Sequence, residues 1–296
     1  MASLESKQLE AYIRSSSIWN KPLAEVRRDL ENMTLEVQYI KQVEISKASA
    51  RGVTAEWIIP QGAVQEKVII YLHGGGYCLG IVDTNRNFVA RIAVESGFKV
   101  LLPDYRLAPE NPFPAGIEDS ITVYRWLISE GYLPENIFIV ADSSGCGLSL
   151  VTLTLLREQG ESLPAGLAFM SPAIDFCYKG ESITTRADLD PFQMDPDFYI
   201  ANYYVKDNDP TSPLISPIYA ELKGLPPMLI HASDHDIFLS DSIRLAEKAE
   251  KAGVAAELKV WEGMWHNFHM YSDYLPEGRT ALDEIYKHIK SKLTCS

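Results

Sequence analysis

One short stretch of this 296-residue chain has the makings of a reactive hydroxyl: IVADSSGCG, residues 139–147. A serine becomes a nucleophile when a sharp strand-to-helix turn lifts it out of a sheet, and that turn needs small residues two before and two after it. Ser143 meets this condition, flanked by Ala141 and Gly145. Ser144 does not, because Asp142 stands two residues before it. Ala141 adds one methyl where the pattern has glycine. Asp and Ser are also favoured helix caps, so the stretch alone suits an ordinary helix start equally well.

A second stretch changes that balance. YLHGGGYCLG places His73, Gly74, Gly75, Gly76 and Tyr77 directly after an apolar run. Three glycines leave backbone N–H groups unshielded. Such donors stabilise a developing oxyanion, each by about 3–4 kcal/mol in a transition state. Upstream of a serine turn, this loop reads as half of an oxyanion hole.

A reactive serine needs a base and an orienting acid, in the chain order Ser, acid, His. Of six histidines, His73 belongs to the glycine loop and His288 falls in the last helix, on a solvated face. His231 and His235 come too early in that order. His266 and His269 remain, in EGMWHNFHMY, with His269 read as packed beside Tyr271. The acid lies in HASDHDIFLSDS, where Asp234, Asp236 and Asp241 compete. His231, Asp234, His235 and Asp236 also offer metal-ligand types. They form one local run without a distant fourth partner, so no metal is expected.

The surrounding elements must bring these residues together. Residues 4–33 read as two short helices, and VQYIKQVEIS and VTAEWIIP as an antiparallel strand pair. Apolar runs at 67–74, 99–106, 137–144, 165–172, 228–233 and 256–263 then alternate with helical patterns at 85–97, 117–130, 147–160, 242–253 and 277–293. Buried strands alternating with helices imply an α/β class, a mainly parallel central sheet flanked by helices. Ligands of such sheets sit at the carboxyl ends of the strands. The alternation breaks between 178 and 217. That insertion and residues 1–35 are expected to pair as a helical cap on a single domain spanning 1–296.

The formal charge of −13 argues against nucleic acid or an anionic membrane as partner. Hydrophobic residues make up 46% and charged residues 23%, the balance of a soluble globular chain. Cys78, Cys146, Cys177 and Cys295 form no zinc pattern and too few pairs for a disulfide framework. With no signal-peptide core and no membrane-length run, the expected location is cytoplasmic.

Taken together, HGGGY, DYRLAPENPFPAGIED (104–119), ADSSGCG and GMWHNF resemble the hormone-sensitive-lipase family of α/β-hydrolases, in its bacterial carboxylesterase branch. The resemblance covers most of residues 67–290, and the two N-terminal helices fit that family's cap. It departs at Ala141, Ser144 and Cys146 in the serine turn, and at Asn267, where the family has glycine. The resemblance implies the α/β-hydrolase fold and a triad of Ser143, His266 and Asp236, with Asp234 as the reserve acid and Asp241 opening the next helix. Gly75, Gly76 and Ser144 would supply the oxyanion N–H groups. It implies a carboxylesterase for short acyl esters, acetyl to hexanoyl, needing no cofactor. Tyr77, Trp265 and Tyr204 would line the pocket, beside other cap aromatics (Phe192, Phe198, Tyr199, Tyr203), unless these form the cap's own core. It also implies a homodimer joined through the last strand and helix. An amidase or lactonase would use the same triad. A non-catalytic receptor on the same fold would lack the histidine, which is present here.

Overall fold

The computed structural model describes residues 2–16, 21–32, 39–192 and 201–293. Of the residues named above, Phe198, Tyr199 and Cys295 lie outside these ranges, as do the first two residues of VQYIKQVEIS.

Among the described residues the sheet has eight strands: β1 (Val43–Ala50), β2 (Val53–Pro60), β3 (Val64–Leu72), β4 (Phe98–Pro103), β5 (Ile137–Asp142), β6 (Gly166–Met170), β7 (Met228–Ser233) and β8 (Ala256–Trp261). Their order is β1-β2-β4-β3-β5-β6-β7-β8. The first two pairings are antiparallel and the rest parallel. Arg51 and Gly52, both at positive φ, form the tight β1–β2 turn whose twist suits a hairpin. β1 starts at Val43, later than the apolar pattern suggests, because Ile40–Gln42 curl into a 3-10 turn. The Tyr39 N–H just before that turn donates to Asn87 Oδ1 at 2.9 Å.

Helices cover both faces. The chain supplies α1 (Leu4–Ser15), α2 (Leu23–Glu31), α3 (Asp83–Ser96), α4 (Ala115–Ser129), α5 (Ser144–Glu158), α6 (Ser182–Thr185), α7 (Ala201–Val205), α8 (Leu239–Lys251) and α9 (Pro276–Leu293). On one face α3 and α9 bury Phe88, Ile92, Leu282 and Ile285 against Ile69, Val100 and Val140. On the other, α4, α5 and α8 bury Leu127, Leu150 and Leu245 against Ile70, Ile139 and Ile230. Residues alternate between the faces along each central strand, so β3 from Val68 to Leu72 and β5 from Ile137 to Ala141 are apolar, as stretches covered on both sides must be.

A smaller cluster lies over the carboxyl ends of the strands. Ile13 of α1 packs with Met264, Trp265 and Phe268 from the segment after β8. The tip of α1 is fastened as well, the Ser3 N–H donating to Glu277 Oε1 at 2.7 Å. His288 corrects an expectation. It is half-buried on α9 with its ring edge-on to Phe138 at 5.8 Å, and burial lowers its pKa to about 4. Among the described residues, no helix is long and apolar enough to cross a membrane.

Candidate active site

Four segments converge beyond the carboxyl ends of the parallel strands: 73–77 after β3, Ser143 after β5, Asp236 after β7 and His266 after β8. This is where a parallel sheet leaves room for a ligand, because each strand end opens into a loop.

Ser143 joins β5 to α5 with φ 49° and ψ −122°. A side chain at such dihedrals carries about 1–3 kcal/mol of backbone strain, which the packing around it must hold. That packing is tight. A Cβ on Gly145 would run into the carbonyl oxygen of Leu72. A Cβ on Gly74 would strike the carboxylate of Asp142. Ala141 is tolerated because its methyl joins the apolar core beneath the sheet. The helix begins at Ser144 itself, earlier than apolar periodicity suggests, because the turn leads straight into it. Gly145→Val is expected to destabilise the fold by about 3 kcal/mol or more, since a backbone carbonyl cannot rotate aside as a side chain can. Thermal unfolding followed by circular dichroism checks this, and a near-wild-type midpoint would contradict it.

The structure brings Ser143, His266 and Asp236 together. Ser143 Oγ lies 2.9 Å from His266 Nε2. His266 Nδ1 lies 3.0 and 3.2 Å from the two carboxylate oxygens of Asp236. A carboxylate accepts only, so the ring proton belongs on Nδ1 and the Nε2 lone pair faces the hydroxyl. Asp236 is held in turn by the Phe238 N–H at 2.8 Å. Asp236 is 1% exposed, His266 7% and Ser143 8%.

The competing residues are engaged elsewhere. Asp234 accepts from the Gly263 N–H at 2.6 Å. Asp241 accepts from the Ile174 and Asp175 N–H groups and so fastens the loop after β6. His231 and His269 face each other, Nδ1 to Nε2, at 3.2 Å. Burial lowers both rings, His231 to about 3. His269 is therefore a neutral core residue whose ring pairs with another histidine. His73 is buried and stacked on Tyr105 at 4.4 Å, with its Nδ1–H donating to the Gly74 carbonyl at 2.7 Å. In the possible metal run, His231 faces His269, Asp236 faces His266, and Asp234 holds the Gly263 N–H with His235 Nε2 3.9 Å away; among the described residues no group of three ligand types gathers.

Among the described residues, the backbone N–H groups of Gly75, Gly76 and Ser144 have no acceptor. Gly75 and Gly76 both adopt positive φ, 108° and 60°. Tyr77, at φ 62°, is 2% exposed and stacks on Tyr204 of α7 with ring centroids 3.8 Å apart. Phe176 and Phe113 pack against Tyr204 at 6.1 and 5.9 Å. Trp265 is fully buried among Ile13, Met264 and Phe268, so its ring is a packing element between α1 and the His266 segment. An open cavity of about 440 Å³ lies between α2 and residues 79–82 and 104–111, and none of the three convergent side chains lines it.

Sequence reasoning missed two residues around the site. In the sequence Asp142 reads as too large for the turn or as a helix cap. Its Oδ1 accepts from Tyr71 Oη at 2.7 Å and from the Gly74 N–H at 2.9 Å. Asp190, 1% exposed, accepts from the Phe192 N–H at 3.0 Å and the Ile237 N–H at 3.4 Å. Burial, reinforced by the charge of Asp236, raises Asp190 to about 7. Nothing periodic marks Asp190 in the sequence, whereas Asp142 adjoins the serine and was open to the question of what its carboxylate does.

Residues 69–270 match the model of a family described as the alpha/beta hydrolase fold. The chain belongs to that family. A Streptomyces hygroscopicus acetyl-hydrolase is 38% identical over 232 residues, 78% of this chain and 77% of that protein. An Acinetobacter venetianus esterase is 34% identical over 279 residues, 94% and 92% of the two chains. A solved esterase of the bacterial hormone-sensitive lipase family superposes with a TM-score of 0.92 at 38% identity, covering 99% of each chain. The α/β-hydrolase chain described here is thus a hydrolase of the hormone-sensitive-lipase branch, with esterases as relatives.

Proposed function

We propose that this α/β-hydrolase is a carboxylesterase for short acyl esters that works through Ser143, His266 and Asp236. The observation that carries the reading is the unbroken relay from Ser143 Oγ to His266 Nε2 and from His266 Nδ1 to Asp236. In it, Ser143 attacks the ester carbonyl while His266 takes its proton. Asp236 fixes the imidazole tautomer and stabilises the imidazolium. The Gly75, Gly76 and Ser144 N–H groups, unclaimed by acceptors among the described residues, hold the tetrahedral O⁻. His266 then returns its proton to the alcohol oxygen, which leaves. Water, deprotonated by the same ring, releases the acid from the acyl-enzyme.

The short-acyl part rests on two supports. One relative is by name an acetyl-hydrolase. The other is the closed stack of Tyr77 and Tyr204 with Phe176 beside it, which fills space next to the glycine loop that a long chain would need. The ring of Tyr77 also approaches α5, where a Cβ on Gly147 would lie 2.8 Å from the Tyr77 hydroxyl. The same geometry casts Trp265 as a brace for the His266 segment. Cys146 and Cys177 are free thiols, in keeping with a cytoplasmic enzyme.

Scanning p-nitrophenyl esters of increasing acyl length tests the substrate class. The expected kcat/KM peaks between acetyl and hexanoyl, and a peak on clearly longer chains would overturn the short-acyl reading. An amide or lactone hydrolysed faster than every ester would shift the assignment to the sister activities that share the triad.

A further inference from the structure

Asn267 stands where the resemblance has glycine, and its backbone is left-handed, φ 53° and ψ 31°. Glycine adopts that conformation freely, and asparagine is among the few side chains that tolerate it. The side chain here is engaged. Its Nδ2 donates to Asp142 Oδ2 at 2.7 Å, and its backbone N–H donates to Ser171 Oγ at 3.0 Å. Asp142 is 4% exposed, so its carboxylate depends on its three donors: Tyr71 Oη, the Gly74 N–H and the Asn267 amide.

The chain positions of these groups give the arrangement its meaning. Asp142 immediately precedes Ser143, Gly74 immediately precedes Gly75, and Asn267 immediately follows His266. One buried carboxylate therefore ties together the nearest neighbours of the nucleophile, an oxyanion donor and the base. We propose that Asn267 is a positioning residue that fixes the His266 loop to the glycine loop through Asp142, so that base and oxyanion donors keep their spacing during turnover. This rests on the catalytic roles proposed above. A glycine at 267 would keep the backbone shape and surrender the tie.

Two substitutions and one exchange test it, with kcat and KM measured on p-nitrophenyl acetate at mildly alkaline pH and folding checked by circular dichroism. Asn267→Gly is expected to leave KM unchanged and to lower kcat about tenfold, since small misplacements of reacting groups cost one to two orders of magnitude. Asn267→Asp sets a second carboxylate against Asp142. The other titratable groups around Asp142 are Tyr71, Tyr105, His73, Cys146 and His266. None is cationic at that pH in the active enzyme, so the repulsion is uncompensated and kcat falls about a hundredfold. Adding Asp142→Asn restores all three bonds, with the polarity reversed only in the one to residue 267. The new amide's oxygen accepts from Tyr71 and Gly74, while its NH₂ donates to the new carboxylate. The double variant is expected to regain at least about tenfold over Asn267→Asp alone, a coupling that a merely structural site would not show in kcat.

Wild-type kcat in Asn267→Gly, or no recovery in the double variant, overturns the role of Asn267. If Asn267→Gly fails to fold, the comparison of Asn267→Asp with the double variant decides alone. Ser143→Ala run in parallel separates the two levels. Turnover surviving in it sinks the triad reading and this proposal with it, whereas a dead Ser143→Ala beside a fully active Asn267→Gly sinks only the positioning role.

Discussion

Replacing Ser143 by alanine is expected to lower kcat on p-nitrophenyl acetate by roughly 10⁶-fold, the scale seen when a serine nucleophile is removed from a triad that otherwise stays intact. The fold should survive. The alanine keeps the Cβ that the turn already accommodates, and among the described residues the lost hydroxyl bonds only to His266. Ser144→Ala is the matched control. Its Oγ is buried and, among the described residues, without a partner. Removing it takes away no hydrogen bond, and its backbone N–H stays where it was. Most of the activity should remain, with kcat within a few-fold of wild type. The two adjacent serines are thus assigned opposite outcomes, and a reversal of them would place the nucleophile at 144.

The second large effect is at Asp236. Asp236→Asn preserves shape but offers an amide N–H to a ring nitrogen that needs an acceptor. The imidazole then turns its proton toward Ser143 or loses its alignment, and kcat is expected to fall about 10⁴-fold. The pH profile carries a separate signature. Burial is the largest influence on His266 and pushes its pKa down. The charge and hydrogen bond of Asp236, helped by Asp190 and Asp142, push it up further, so the net shift is upward from 6.5. Only the neutral ring accepts the serine proton, so activity is lost as pH falls through that raised value. The acid limb of kcat/KM in the wild type should therefore have its midpoint above 6.5. In Asp236→Asn the chief upward influences are gone while burial remains, so the limb of the residual activity moves to lower pH. An unmoved limb would show that some other group sets it.

Much of this arrangement was legible in the sequence because the chemistry constrains the chain locally. Gly145 has to be small where α5 starts against the carbonyl of Leu72. The glycines at 74–76 have to be small or at positive φ, and such needs leave fixed letters behind. The parallel sheet was legible too, since β3 from Val68 onward and β4 to β7 are buried on both faces and read as largely apolar runs. What could not be read was which polar side chains find each other across the site. Asp234, Asp236 and Asp241 are chemically alike in one short run, and only the path of the chain after β7 gives Gly263, His266 and the loop after β6 one carboxylate each. The partner of His269, in the turn after β8, is a histidine on β7, and the donor that completes Asp142 lies 125 residues away along the chain. His288 was misread for a related reason. Its helical position suggests solvent, but the neighbouring Phe138 of β5 covers it.

The most direct test of the central claim is to treat the wild-type enzyme with an ethyl fluorophosphonate and map the adduct by peptide mass spectrometry. The account predicts one stoichiometric adduct on Ser143, formed with loss of esterase activity and suppressed in Asp236→Asn. An adduct on Ser144 or elsewhere, or full activity after complete labelling of Ser143, would contradict it.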